Sequence, residues 1–168
     1  YIVFVVIISD RLYFFLSDTF KKEQIHEETL CTLHSCILDN IIDDEKGVYR
    51  KRKVWIEGAS FLPVSPESVP KAMKTFFLWL RKNPENLHII EQAILAHEKF
   101  VFIHPFIDGN GRLARLLTLF LLMHKGYPPL LVLKTERKIY IQTLDRAHQN
   151  KYAGFVHFMA KCLERSLD

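Results

Sequence analysis

The sequence predicts an all-α domain with one small β-hairpin. Three observations point there. Apolar residues recur at helical spacing along most of the chain, most cleanly in the stripe Leu113, Leu116, Leu117, Phe120 and Leu121. One stretch alone groups β-branched and aromatic residues around a short polar run: Val48-Tyr49 and Val54-Trp55-Ile56 flank Arg50-Lys51-Arg52-Lys53. With no internal repeat and no dividing linker, 168 residues suffice for one domain and not for two ordinary ones.

The elements follow in order. Residues 1–23 form an N-terminal apolar segment of unclear role, and a chain opening at Tyr1 rather than Met is expected to be a fragment or a processed product. Ser9-Asp10-Arg11 interrupts its apolar run, whereas a membrane helix needs about 20 apolar residues. A signal peptide would begin with basic residues and end in small ones. A buried segment, or the cut edge of something larger, is therefore favoured over a truncated membrane anchor. Residues 24–39 form a helix with Ile25, Leu30, Leu33, Ile37 and Leu38 on one side. A polar loop, 43–47, leads into the hairpin, which Gly58 closes. Ser65 caps the next helix, with Pro66 and Glu67 in its first turn, and Asn83-Pro84 breaks it. A helix over about 86–102 carries Leu87, Ile90, Ile94, His97 and Val101, and Pro105 ends it at His104. Another helix opens near Gly111 and stops at Gly126, ahead of Pro128-Pro129. The last two helices span about 138–149 and 152–166.

Composition excludes several classes. Hydrophobic residues at 49% and charged residues at 25% rule out a disordered chain. Cys31, Cys36 and Cys162 form no CxxC pair, so no disulfide framework is expected and a reducing, cytoplasmic compartment is preferred. A net charge of +4 does not by itself imply nucleic-acid binding, and none is expected.

Chemistry concentrates in residues 104–115. Gly109 and Gly111 flank Asn110 in a tight loop that ends at a helix N-terminus, where unpaired N–H groups and the helix dipole favour an anion. Arg112 and Arg115 lie three apart in the first helical turn, an end that repels cations unless an anionic ligand is present. Phosphates are the natural occupant. Asp108 is the local oxygen ligand for the divalent ion a polyphosphate wants. His104, with an ordinary pKa near 6.5, suits proton transfer. A base, a metal ligand, an anion nest and two charge clamps fit phosphoryl or nucleotidyl transfer. No Gly-Lys-Ser/Thr follows, so this is not a Walker loop.

The run His104-Pro105-Phe106-Ile107-Asp108-Gly109-Asn110-Gly111-Arg112-Leu113-Ala114-Arg115 resembles the signature of the Fic domain family, His-x-Phe-x-Asp/Glu-Gly-Asn-Gly-Arg-x-x-Arg, at every fixed position. The similarity extends over about residues 24–167, so residues 24–168 are taken as a Fic domain. It is greatest to the Fic enzymes akin to the animal endoplasmic-reticulum protein and its bacterial relatives, which keeps a lumenal location open. The resemblance implies the Fic fold and transfer of AMP from ATP, with Mg²⁺, to a Ser, Thr or Tyr hydroxyl of a target protein. By motif position His104 would be the general base and Asp108 the Mg²⁺ ligand. Gly109, Asn110 and Gly111 would cradle phosphates, Arg112 and Arg115 would neutralise the β- and γ-phosphates, and Phe106 would anchor the loop. Val54, Trp55, Ile56 and Glu57 would form the flap that docks the target backbone as an added strand. Removal of AMP, transfer of UMP or phosphate, and nucleotide sensing without catalysis are the alternatives.

Blander expectations apply elsewhere. His97 is expected to be a buried, hydrogen-bonded histidine, because no third ligand is spaced to make it a metal partner of His104. Arg50 to Lys53 are expected to be a solvated hairpin edge rather than a docking patch for an acidic target. Tyr140 and His148 stand where relatives line the adenine pocket, but depart from the aromatic pair and Asn implied there. Many Fic proteins carry an inhibitory glutamate that pairs with the second motif arginine. Glu23, within Thr19-Phe20-Lys21-Lys22-Glu23-Gln24, is the nearest match, in a poor motif and too close to the following helix. The glutamate is otherwise expected upstream, in an antitoxin-like partner or homodimer, or nowhere.

Overall fold

The computed structural model describes residues 25–38, 45–56 and 58–167. Residues 1–23, the inhibitory candidate Glu23 and the flap residue Glu57 lie outside these. Among the described residues there are six α-helices: α1 (Glu27–Ile37), α2 (Val69–Lys82), α3 (Ile89–Ile103), α4 (Asn110–Met123), α5 (Arg137–His148) and α6 (Tyr152–Glu164). Single 3₁₀ turns, Pro66–Ser68 and Lys134–Glu136, precede α2 and α5. None of these helices is long and apolar enough to cross a membrane.

α3 is the central helix because its sequence is apolar nearly all round. Ala93, Ile94, Ala96, Phe100, Val101 and Ile103 are all buried, and the helix packs on α2, α4, α5 and α6. α4 lies against it through Leu113, Leu116, Leu117 and Phe120. α5 and α6 pair with each other and cover the other side through Leu144, Ala147, Phe155, Met159 and Cys162. The expected apolar stripes are thus the core. The helix ends fall within three residues of those expected, and Gly126 at φ 80° stands where α4 stops.

The expected hairpin is not seen: residues 48–56 run extended without a strand ladder among the described residues. Their polar groups bond elsewhere. The Arg50 N–H donates to Pro105 O at 2.9 Å, and the Arg50 side chain is buried. Its Nε donates to His104 O at 2.7 Å, Nη1 to Arg52 O at 3.1 Å, and Nη2 to Val64 O and Ile103 O. A guanidinium placed on the last carbonyls of α3 satisfies acceptors that the helix end leaves unpaired, and it complements the negative end of the dipole. Arg50 therefore does not belong to a solvated edge; only Lys51, Arg52 and Lys53 of that run are exposed. Ser65 likewise precedes a 3₁₀ turn rather than capping α2, and its hydroxyl bonds Ser68 Oγ.

Candidate active site

The loop between α3 and α4 is held from three sides. Pro105 blocks continuation of α3, and His104 turns into the left-handed region at φ 50°, a conformation that costs a β-carbon residue on the order of 1–3 kcal/mol. Three bonds hold it there. The His104 N–H donates to Phe100 O at 3.0 Å, Nδ1–H donates to Val101 O at 3.2 Å, and the carbonyl accepts from Arg50. Phe106 next plunges into the core, fully buried. Asn110 closes the loop on itself: Nδ2 donates to Phe106 O at 2.8 Å, and Oδ1 accepts from Phe106 N at 3.0 Å.

His34, which its sequence pattern does not single out as a site residue, anchors this loop from beneath. Its ring stacks on Phe106 with centroids 3.7 Å apart. Nε2–H donates to Asp108 O at 2.9 Å, while Nδ1 accepts from the Gly47 N–H at 2.9 Å. That division of roles requires the neutral ring, and burial lowers the His34 pKa accordingly. Both neighbouring glycines are needed at these places. Gly109 sits at φ 76° over His34, and a Cβ on Gly47, at φ 71°, would come 2.8 Å from Cys31 O. The only hint in the sequence was a histidine on an otherwise apolar face, among Leu30, Leu33 and Ile37.

Above the loop opens a cleft of about 350 Å³. His104, Asp108, Gly109, Gly111, Arg112, Arg115 and Ile56 line it, so seven of the residues singled out by sequence converge. Asn110, Val54 and Trp55 do not line it: the Asn110 side chain is spent on Phe106, and Trp55 is 75% exposed. Gly111 lies inside the first turn of α4 and needs no positive φ. Nothing in the local sequence pattern marked the far wall, which includes Val132, Arg137, Ile141 and Leu144. There Asp145 ties down the chain after the flap, accepting from the Ser60 N–H at 2.6 Å and from its hydroxyl. Tyr140 also lines the cleft. His148 instead lies between Phe61 and Phe102, with centroids 4.0 and 3.9 Å away.

The electrostatics suit an anion. With Nδ1–H committed to Val101, the lone pair of His104 is on Nε2. Burial pushes the His104 pKa down to about 4, so the ring is neutral at pH 7 and can accept a proton. Arg112 Nη2 pairs with Asp108 Oδ2 at 3.1 Å, in an i,i+4 contact that is 30% and 54% exposed on its two sides. Such an exposed pair is weak, and an anionic ligand can replace it. Asp108 Oδ1 accepts from the Gly109 N–H at 2.6 Å. The following N–H groups, in the first turn of α4, have no intrahelical acceptor.

A loop of this make at a helix N-terminus, set in an all-helical bundle, is the hallmark of one family. The Fic/DOC family model matches residues 24–122, and the chain belongs to that family. It is 40% identical over 149 residues to the protein adenylyltransferase Fic of Nematostella vectensis, covering 88% of this chain and 34% of that protein. The chain spans about a third of the length of the curated relatives it matches. Among solved structures it resembles a Fic domain containing signaling protein from Bacteroides thetaiotaomicron, with a TM-score of 0.81, 29% identity, and 92% and 66% of the two chains covered. Fic-1 from C. elegans gives the same TM-score at 33% identity, with 92% and 46% covered.

Proposed function

We propose that this chain carries the catalytic core of a protein adenylyltransferase, moving AMP from ATP to a target hydroxyl and releasing pyrophosphate. One observation carries the reading: a neutral histidine faces the same cleft as two arginines and the N-terminus of α4. The names of the curated relatives support it.

Each residue then has a task. His104 Nε2 takes the proton from the target's Ser, Thr or Tyr hydroxyl. The oxygen forms a bond to the α-phosphorus as the bond to pyrophosphate breaks. Arg112, Arg115 and the N–H groups from Gly109 to Gly111 neutralise the outer phosphates and the leaving group, the main form of catalysis available in such a transfer. The apolar wall of Val132, Ile141 and Leu144 suits the base. Mg²⁺ fits the donor set: it is typically held by one or two carboxylates plus phosphate oxygens and water, and Asp108 is an exposed carboxylate at the cleft. Asp108 would hold the ion once Arg112 lets go, and the ion would supply charge neutralisation on the phosphates. The segment with Val54, Trp55, Ile56 and Glu57 would pair with the target backbone, and the exposure of Trp55 supports that docking role.

Incubation with α-labelled and γ-labelled ATP and a cell lysate tests the reading. Label moving only from the α position means AMP transfer. Label from γ means phosphate transfer, and no label from either removes the enzymatic reading.

A further inference from the structure

A buried row of polar groups runs from the cleft into the bundle, and its proton pattern has one direction. At the inner end the Thr118 hydroxyl donates to Ala114 O at 2.9 Å, so its oxygen is left to accept. His97 Nδ1 lies 3.0 Å from that oxygen and must be the donor. His97 is fully buried, and burial together with the Arg115 charge pushes its pKa down to about 3. A neutral imidazole with Nδ1 protonated has an acceptor at Nε2. The Tyr140 hydroxyl lies 2.6 Å from Nε2 and donates to it. This leaves the Tyr140 oxygen as an acceptor; Arg115 lines the same cleft, and its charge and hydrogen bonding oppose the rise that burial gives the Tyr140 pKa.

The ring positions are fixed by packing. Tyr140 meets His97 edge-on, with centroids 5.7 Å apart and planes at 86°, and Phe155 packs on both rings. A histidine bonded only for core satisfaction could end its chain anywhere. This chain ends on an arginine that lines the cleft.

We propose that Tyr140, backed by His97 and Thr118, is a positioning residue that orients Arg115 toward the outer phosphates of a bound nucleotide. The proposal rests on the ATP reading above. The α4 turn brings Arg115 to the cleft, and a long side chain loses rotamer entropy when a ligand fixes it. The Tyr140 acceptor holds the guanidinium before the ligand arrives. The discriminating contact is then with the β- and γ-phosphates, which AMP lacks.

Two measurements on the full chain test this. In ligand-free protein with ¹⁵N-labelled arginine, exchange of the Arg115 side-chain N–H protons should quicken about tenfold in Tyr140→Phe, as one charge-assisted bond is lost. In calorimetry with Mg²⁺, the ratio of ATP to AMP affinity should fall about tenfold in Tyr140→Phe and His97→Leu, ATP affinity falling further than AMP affinity. His97→Gln, whose Oε1 can accept from Tyr140 in place of Nε2, should restore most of that ratio. A merely structural role would lower the melting temperature and leave the ratio alone. Unchanged exchange, an unchanged ratio, or equal binding of ATP and AMP by the parent overturns the proposal. If the parent binds neither nucleotide, the ATP reading is lost, and the exchange measurement alone decides whether Tyr140 holds Arg115.

Discussion

The loop at 104–110 and the segment at 48–56, whose Ile56 reaches the same cleft, are built on opposite principles. In the loop, buried and part-buried bonds hold the backbone: Asn110 to Phe106, His34 to Asp108, Arg50 to His104. In the segment, the bonds that tie it down are at Arg50 and, just beyond it, at Ser60; Tyr49 and Ile56 pack on the core, and Val48 and Trp55 stand in solvent. The loop must present a histidine and two arginines with the accuracy that transfer demands. On the proposed function the segment would meet an outside partner, and its exposed Val48 and Trp55 side chains leave that meeting open. On that reading, rigidity lies where atoms would react and exposure where a partner would dock.

Several experiments can break or sharpen this contrast. The largest effect should come from His104→Ala, which removes the base: transfer should fall by about 10²–10⁴-fold with ATP binding retained, as measured by label transfer alongside calorimetry. Transfer at the parent rate would remove His104 from the chemistry. Phe106→Ala should cost about 3–5 kcal/mol of stability in chemical denaturation, because it empties a fully buried site and strips His34 of its stacking partner. A loss below about 1 kcal/mol would mean that the loop is not held as rigidly as its bonds imply. Asp108→Ala should weaken the Mg²⁺ dependence of ATP binding, and an undiminished dependence would move the metal ligand elsewhere. Trp55→Ala is the counterpart in the segment: stability should change by less than about 0.5 kcal/mol, while modification of the target falls and nucleotide binding does not.

The pH dependence follows the same division. His104 and His97 have folded-state pKa values pushed down to about 4 and about 3, below the ordinary 6.5. The unfolded chain therefore binds more protons, and stability is lost as pH falls from 6.5 toward those values. Glu98, buried beside His148 and pushed up to about 7, acts in the other direction: its contribution is present at low pH and is lost as pH rises from 4.5 to 7. Two histidines outweigh one carboxyl, so the melting temperature should fall below pH 6.5. In the Glu98→Gln variant the fall should be steeper. The transfer rate should lack the usual histidine limb near 6.5, and an acid limb there would show that His104 is not shielded as its burial implies.

Much of this was legible in the sequence because the signals are local. Helix periodicity gave α1 to α6, Pro105 ended α3, and six closely spaced positions of the motif converge on the cleft. What was not legible depends on long-range contact. Nothing within the segment 48–56 shows that Arg50 caps a helix more than fifty residues away, and that inward turn takes it out of the strand edge its neighbours suggested. The amide of Asn110 turns away from the cleft because Phe106 offers it both a donor and an acceptor. Arg137 and Ile141 reach the cleft only because α5 packs on α3.

The two clamps that bound the exposed segment also make it exchangeable. Arg50 carries its own set of carbonyl acceptors at one end, and Asp145 holds Ser60 at the other, so neither anchor depends on the side chains between them. A foreign sequence replacing residues 51–55 would inherit the take-off at Arg50 and leave Ile56, which packs on the core and lines the cleft, in place. If that stretch docks the target as proposed, target preference becomes a transplantable cassette, and a chimera library confined to residues 51–55 would sample new clients while Ile56 and Ala59 stay on the cleft wall.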